Sequence, residues 1–206
     1  MQFGVIQKEK QTVNYKRKTR EIVLVFGKTG HGKTLWTRQY IKGLKRVIIL
    51  DPLYEYDSAK QFDNLSDLVS HIRKYPIFRV SHGNVNNLPL LCDIATCIDG
   101  AALVIEEAQR VLPSRLTMPE EFEDIIYRGR HTGTSVILVA QRASTVNIAV
   151  RSQFNRMITF RQTEPKDVKW IEDASGYDIA QAITELDVFD YFEITPKGYE
   201  KKRLTV

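Results

Sequence analysis

Two cysteines in 206 residues, Cys92 and Cys97, are too few for a disulfide framework, and no second pair exists to complete a zinc site. They read as core thiols of a protein in a reducing compartment. Long apolar runs are also missing: the longest, such as IVLVF at 22–26 and VILVA at 136–140, are strand-length and could not cross a bilayer. The opening stretch MQFGVIQKEKQTVNYKRKTR has no apolar centre of the kind a secretory signal carries. No internal repeat or low-complexity segment interrupts the chain. These absences argue against a secreted disulfide scaffold, a membrane-spanning protein and a repeat array. What remains is a length that suits one sizeable α/β core better than two independent domains.

Net charge is small and unevenly placed. Residues 1–20 carry Lys8, Lys10, Lys16, Arg17, Lys18 and Arg20 against Glu9, and so hold the whole net charge of +5. The chain therefore divides into a basic arm, 1–20, and an electrically balanced domain, 21–206. Such an arm can attract nucleic acid or an acidic surface, or can be merely solvated.

Short apolar runs alternate with amphipathic stretches, the pattern of βα units around a parallel sheet. Strands are expected at 21–26, 46–50, 77–80, 101–105, 135–140 and 156–161, with helices near 33–44, 65–75, 88–98 and 119–130. Leu65, Leu68, Val69 and Ile72 share one face of the second helix, which Ser66 could cap and Pro76 stops. Beyond 161 the spacing predicts two short helices broken at Gly176, then a hairpin turning at Pro196-Lys197-Gly198. The expected fold is α/β, a mostly parallel central sheet flanked by helices with a C-terminal β-hairpin.

The stretch GKTGHGKT, 27–34, lies between the first strand and the first helix. Backbone N–H groups at a helix start converge on a phosphate with a favourable dipole, and glycines let the loop approach it. Gly27, Lys28, Thr29, Gly30, His31, Gly32, Lys33, Thr34 and Leu35 would form this cradle for ATP. Lys33 reaches the β and γ phosphates and Thr34 ligates Mg²⁺, whereas the side chains of Lys28 and His31 read as exposed bystanders. In ALVIEEAQR two carboxylates emerge where a parallel strand ends, the edge at which such sheets bind ligands. Glu106 is then the second partner of Mg²⁺, through water, and Glu107 the carboxylate that polarises the attacking water. The same two acids could instead be ordinary residues of a helix start. The NKxD element with which GTPases read their base is absent.

GKTGHGKT, VIILDPLYEY, LVIEEAQRVLP and RGRHTGTSVILVAQR together resemble the additional-strand catalytic glutamate ATPases, and within them the FtsK/HerA superfamily. Asp51, Pro52, Glu55 and Tyr56 match that group's Asp-Pro and Glu-Tyr pairs, and Glu106 to Gln109 match its acidic-Glu-Ala-Gln element. Glu106 stands where the group usually has Asp, a change of one methylene that a metal contact through water can absorb. The resemblance implies a RecA-like core and a γ-phosphate sensor at Gln141. It also implies an arginine acting from a neighbouring subunit, for which Arg130 and then Arg128 are candidates, with Arg151 in reserve. Compact members resemble genome-packaging ATPases of tailless icosahedral viruses. That implies a motor that drives double-stranded DNA into a preformed capsid, a ring of six or five copies, a capsid vertex or membrane protein as partner, and a place in the host cytoplasm and at the virion vertex. Two other readings stay open: a Zot-like phage assembly ATPase acting on single-stranded DNA, and a non-motor ATP-binding switch.

Overall fold

The computed structural model describes residues 20–205. Its Val, Ile and Leu runs form β1 (Ile22–Phe26), β2 (Arg46–Leu50), β4 (Phe78–His82), β5 (Ala102–Ile105), β6 (Ser135–Ala140) and β7 (Arg156–Thr159), with the two-residue β3 (Lys60–Gln61) beside β4. These pair in parallel, and the hairpin β8 (Asp190–Thr195) and β9 (Gly198–Arg203) continues the sheet antiparallel from β7. The order across the sheet is β3-β4-β2-β5-β6-β1-β7-β8-β9.

Alternation along each central strand sends side chains to two separate cores, as a sheet covered on both faces requires. Leu24, Ile48, Leu103 and Leu138 join Leu68, Leu91, Phe122 and Ile171, which come from α2 (Leu65–Lys74), α3 (Leu88–Thr96), α4 (Glu120–Arg128) and α6 (Pro165–Ser175). Val25, Ile49, Val104 and Val139 join Trp36 and Ile41 of α1 (Lys33–Ile41), with Phe160, Tyr191 and Leu204. Crossover helices thus lie on both faces, and the C-terminal segment packs on the α1 side.

The six expected strands and the four expected helices all form, shifted at their ends by a few residues. The break at Gly176 separates α6 from α7 (Tyr177–Ala182), and the hairpin turns through Pro196 and Lys197. β3 and α5 (Ile148–Arg151) were not foreseen, being shorter than any periodicity can mark. Helix α2 is capped by Asn64, whose Oδ1 accepts the Asp67 N–H at 2.9 Å, and not by Ser66, which lies inside the helix and donates its hydroxyl to Asn64. Only Cys92 is a core thiol; Cys97, beyond the C-terminal end of α3, is exposed.

The basic arm lies outside the described residues except for its last member. Arg20 donates from Nε to Thr134 O (3.0 Å), just before β6, and from Nη2 to Ile126 O (3.0 Å) and Ile125 O, carbonyls of the last turns of α4. Arg79 does the same for α1, donating to Ile41 O, Lys42 O and Leu44 O. Arg20 is therefore a fastening between β1 and α4 and not one more free cation. Arg20→Ala should destabilise the fold by about 1–3 kcal/mol, lowering the thermal midpoint by several degrees. An unchanged midpoint would show that water replaces these bonds at no cost.

Candidate nucleotide site

The site is built at the C-terminal ends of the parallel strands. The chain leaves β1 at Gly27 (φ 153°), where an added Cβ would lie 2.5 Å from the Cβ of Phe160, so nothing larger than glycine passes β7 here. The Lys28 N–H donates to Arg161 O at 3.2 Å, fastening the loop to the strand's exit. Helix α1 begins at Lys33, after Gly32 in a left-handed conformation (φ 110°). The Lys33 ammonium folds back onto Lys28 O at 3.1 Å. Thr29, Gly30, Gly32, Lys33, Thr34 and Leu35 line an open cleft of about 330 Å³. Gly27, Lys28 and His31 hold the loop from behind. The carbonyl of His31 accepts the Phe189 N–H (3.3 Å), and its Nδ1 lies 3.1 Å from Thr29 O.

The turn after β2 closes the second wall. Asp51, buried, accepts the N–H groups of Glu55 (3.0 Å) and Tyr56 (3.1 Å), and so fixes a turn that aims Glu55 at the loop. The Thr34 hydroxyl donates to Glu55 Oε2 at 3.3 Å. Tyr56, also buried, donates its phenol to Glu106 at the end of β5.

Glu106 is only 3% exposed. Burial, reinforced by Glu55 and Asp51, pushes its carboxyl up to about 7 against the opposing pull of the Tyr56 hydrogen bond and Lys33. Lys33 is pulled down by burial and held up by Glu106, Glu107 and Glu55, so one cation and three acids share the cleft. Glu107 adopts φ 50°, ψ 44°, a left-handed conformation that turns its side chain off the strand. Its carboxylate accepts from Gln141 Nε2 at the end of β6 (3.4 Å) and from Gln109 Nε2. Gln141 is steadied in turn by Gln162, whose amide donates to the Gln141 carbonyl at 3.1 Å.

The donor set suits Mg²⁺. Among the described residues no three His, Cys, Asp or Glu side chains converge as a metal cage. A threonine hydroxyl beside buried carboxylates is what an ion uses when phosphates and water supply most of its ligands.

The cleft brings together Lys33, Thr34, Glu106, Glu107 and Gln141. It does not bring in the arginines. Arg128 and Arg130 precede β6 and lie at the N-terminal edge of the sheet, opposite the phosphate loop. Arg128 pairs with Asp124 at 3.1 Å. Arg130 is exposed and lines a second cleft of about 550 Å³ with Arg20 and Tyr127. Arg151 is buried over the Trp170 ring (5.1 Å to its centre), which spends it inside its own chain. The grip of Gln109 on Glu107 and the place of Phe189 in the cleft wall were not anticipated. The first was readable in principle from the EEAQ spacing, the second not at all.

No curated protein sequence matches the chain. Among solved structures, the fold is similar to the genome packaging NTPase from Sulfolobus turreted icosahedral virus 2 in complex with AMPPCP. That likeness has a TM-score of 0.78 at 20% identity, over 91% of this chain and 98% of that one. VirB4 of Thermoanaerobacter pseudethanolicus superposes with a TM-score of 0.66 at 12% identity, over 90% and 89% of the two chains. The N-terminal domain of zonular occludens toxin from Neisseria meningitidis does so with 0.52 at 15%, over 91% and 95%. Every element of the cleft from Gly27 to Gln141 lies within residues 16–146, the stretch that matches the AAA domain model, and the chain belongs to that family of P-loop ATPases.

Proposed function

We propose that the chain is an ATP-hydrolysing motor of FtsK/HerA type that moves double-stranded DNA into a preformed viral capsid. The observation that carries the reading is Glu107: a carboxylate at the strand edge, lining the same cleft as Lys33 and hydrogen-bonded to Gln141. A phosphate loop alone binds nucleotide, but a positioned carboxylate beside it can orient water for attack. The likeness to a viral genome packaging NTPase, which spans nearly all of both chains, supports the packaging role.

In this reading Lys33 holds the β and γ phosphates, and Thr34 and Glu106 would hold Mg²⁺, which would supply charge neutralisation on the phosphoryl oxygens. Glu55 and Tyr56 keep Thr34 and Glu106 in position through the hydrogen bonds described above. Glu107 accepts the proton of the attacking water. Gln141 contacts the γ-phosphate and, being bonded to Glu107, reports its presence to the carboxylate. Arg130, or else Arg128, stabilises the transferring phosphoryl group of a neighbouring copy in a ring of six or five. Their station at the opposite edge of the sheet leaves them able to serve a neighbour's site but not their own. A second reading, extrusion of single-stranded DNA, draws on the weaker likeness to the zonular occludens toxin domain.

Lys33→Ala should abolish turnover and weaken ATP binding. Glu107→Gln should leave ATP bound while hydrolysis falls by roughly 10²- to 10⁴-fold; near-normal hydrolysis in that variant would remove Glu107 from its role. Duplex DNA should stimulate the ATPase rate more than single strands do, and the stimulation should weaken steeply with salt because binding through phosphates releases the counterions condensed on them. Preference for single strands would favour the second reading, and absence of turnover a switch. Mixing inactive Arg130→Ala with inactive Glu107→Gln should restore part of the activity, because some interfaces then pair two intact residues. No recovery from that mixture or from its Arg128→Ala counterpart, with rings still formed, would rule out this stretch as the donor in trans.

A further inference from the structure

The chemistry above uses the phosphate end of the nucleotide and leaves its base without a partner. We propose that the half-exposed ring of Phe189 is the platform on which the nucleobase of bound ATP stacks, an inference that rests on GKTGHGKT being the triphosphate cradle. Sheet order decides the direction. β5 and β6, with Glu106, Glu107 and Gln141 at their ends, lie on one side of β1, and β7 and β8 lie on the other. A triphosphate whose γ end meets Glu107 therefore directs its sugar and base toward β7 and β8. Phe189, immediately before β8, lines the cleft there.

The ring has an apolar floor. Leu204 Cδ1, Phe189 Cδ1 and Phe160 Cε1 all come within 3.3 Å of the point where a Cβ on Gly32 would sit. Leu204 and Phe160 are buried, whereas Phe189 remains partly open to the cleft. Phe189 is also fixed relative to the loop, with its N–H on His31 O at 3.3 Å and its carbonyl accepting the Leu204 N–H at 2.9 Å.

Its backbone is strained. Among the described residues three that are not glycine have positive φ: Tyr54 (56°), Glu107 (50°) and Phe189 (72°). Glu107 and Phe189 line the cleft, and Tyr54 sits between two residues that line it, Leu53 and Glu55. A bulky aromatic in that conformation costs free energy and persists where the surroundings enforce it, most often at functional sites. A phenyl face stacks on any base and offers no hydrogen bond to tell one from another. Phe189 therefore recognises a nucleobase as a class.

Calorimetric titration with two ligands, the β,γ-methylene analogue of ATP and inorganic tripolyphosphate, each with Mg²⁺, separates base contact from loop anchoring. Phe189→Ala should weaken the analogue by about 10- to 100-fold, the range of one base stack, and leave tripolyphosphate affinity within twofold of wild type. Phe189→Trp should bind both ligands as wild type does. Equal weakening of both ligands in Phe189→Ala overturns the proposal by making Phe189 an anchor of the loop, and so does no weakening of either. Should the alanine variant not fold, Phe189→Leu keeps the apolar bulk without the aromatic face. It should lose analogue affinity alone, and wild-type affinity for both ligands would overturn the proposal. Wild-type protein that binds neither ligand would overturn the cradle reading, and this inference with it. Binding of both by wild type confines any failure to Phe189.

Discussion

The close approach of the loop after β1 to the end of β7 is the constraint on which the rest of the site depends. Gly27 has no room for a side chain against Phe160, and the Lys28 N–H is tied to Arg161 O. These contacts fix where the chain turns. They thereby fix where α1 starts, and with it the stations of Lys33 and Thr34. Burial of both sheet faces makes that edge rigid, because β1 sits between β6 and β7 with its five side chains buried in the two cores. A rigid scaffold with its functional groups on the connecting loops is the arrangement that lets a cleft be pre-organised.

Polar groups in the cleft support one another in a chain. Asp51 shapes the turn, Glu55 meets Thr34, Tyr56 meets Glu106, and Gln141 and Gln109 meet Glu107. The contacts of Glu55, Tyr56 and Gln141 join one strand end to the phosphate loop or to another strand end, and those of Asp51 and Gln109 fix the local turns that make this possible. The concentration of acid around Lys33 leaves the cleft short of positive charge, a deficit that a metal ion and an arginine from outside the chain would balance.

Much of this was legible in the sequence, for identifiable reasons. Runs such as VIILD and LVIEE show both a strand and its exit, because strands covered on both faces are apolar up to the point where they meet the ligand edge. The phosphate loop announces itself through glycines whose backbone angles other residues avoid. What stayed hidden was long-range or too short to carry a period. Nothing in the sequence brings Phe189 to His31, or Arg20 to the end of α4 more than a hundred residues later. Helix α5, with four residues, has no face to read. The left-handed Glu107 runs against the conformational preference of its own side chain, and only the fold around it reveals why it is there.

The central claim is that ATP hydrolysis in this cleft moves duplex DNA. Its most direct measurement is displacement of a fluorescent third strand from a triplex by the assembled protein, since only a motor travelling along the duplex strips it. The account predicts ATP-dependent displacement, lost in Glu107→Gln although that variant still binds ATP. Sustained ATP hydrolysis on duplex DNA with no displacement would contradict it, leaving a P-loop ATPase that works as something other than a motor.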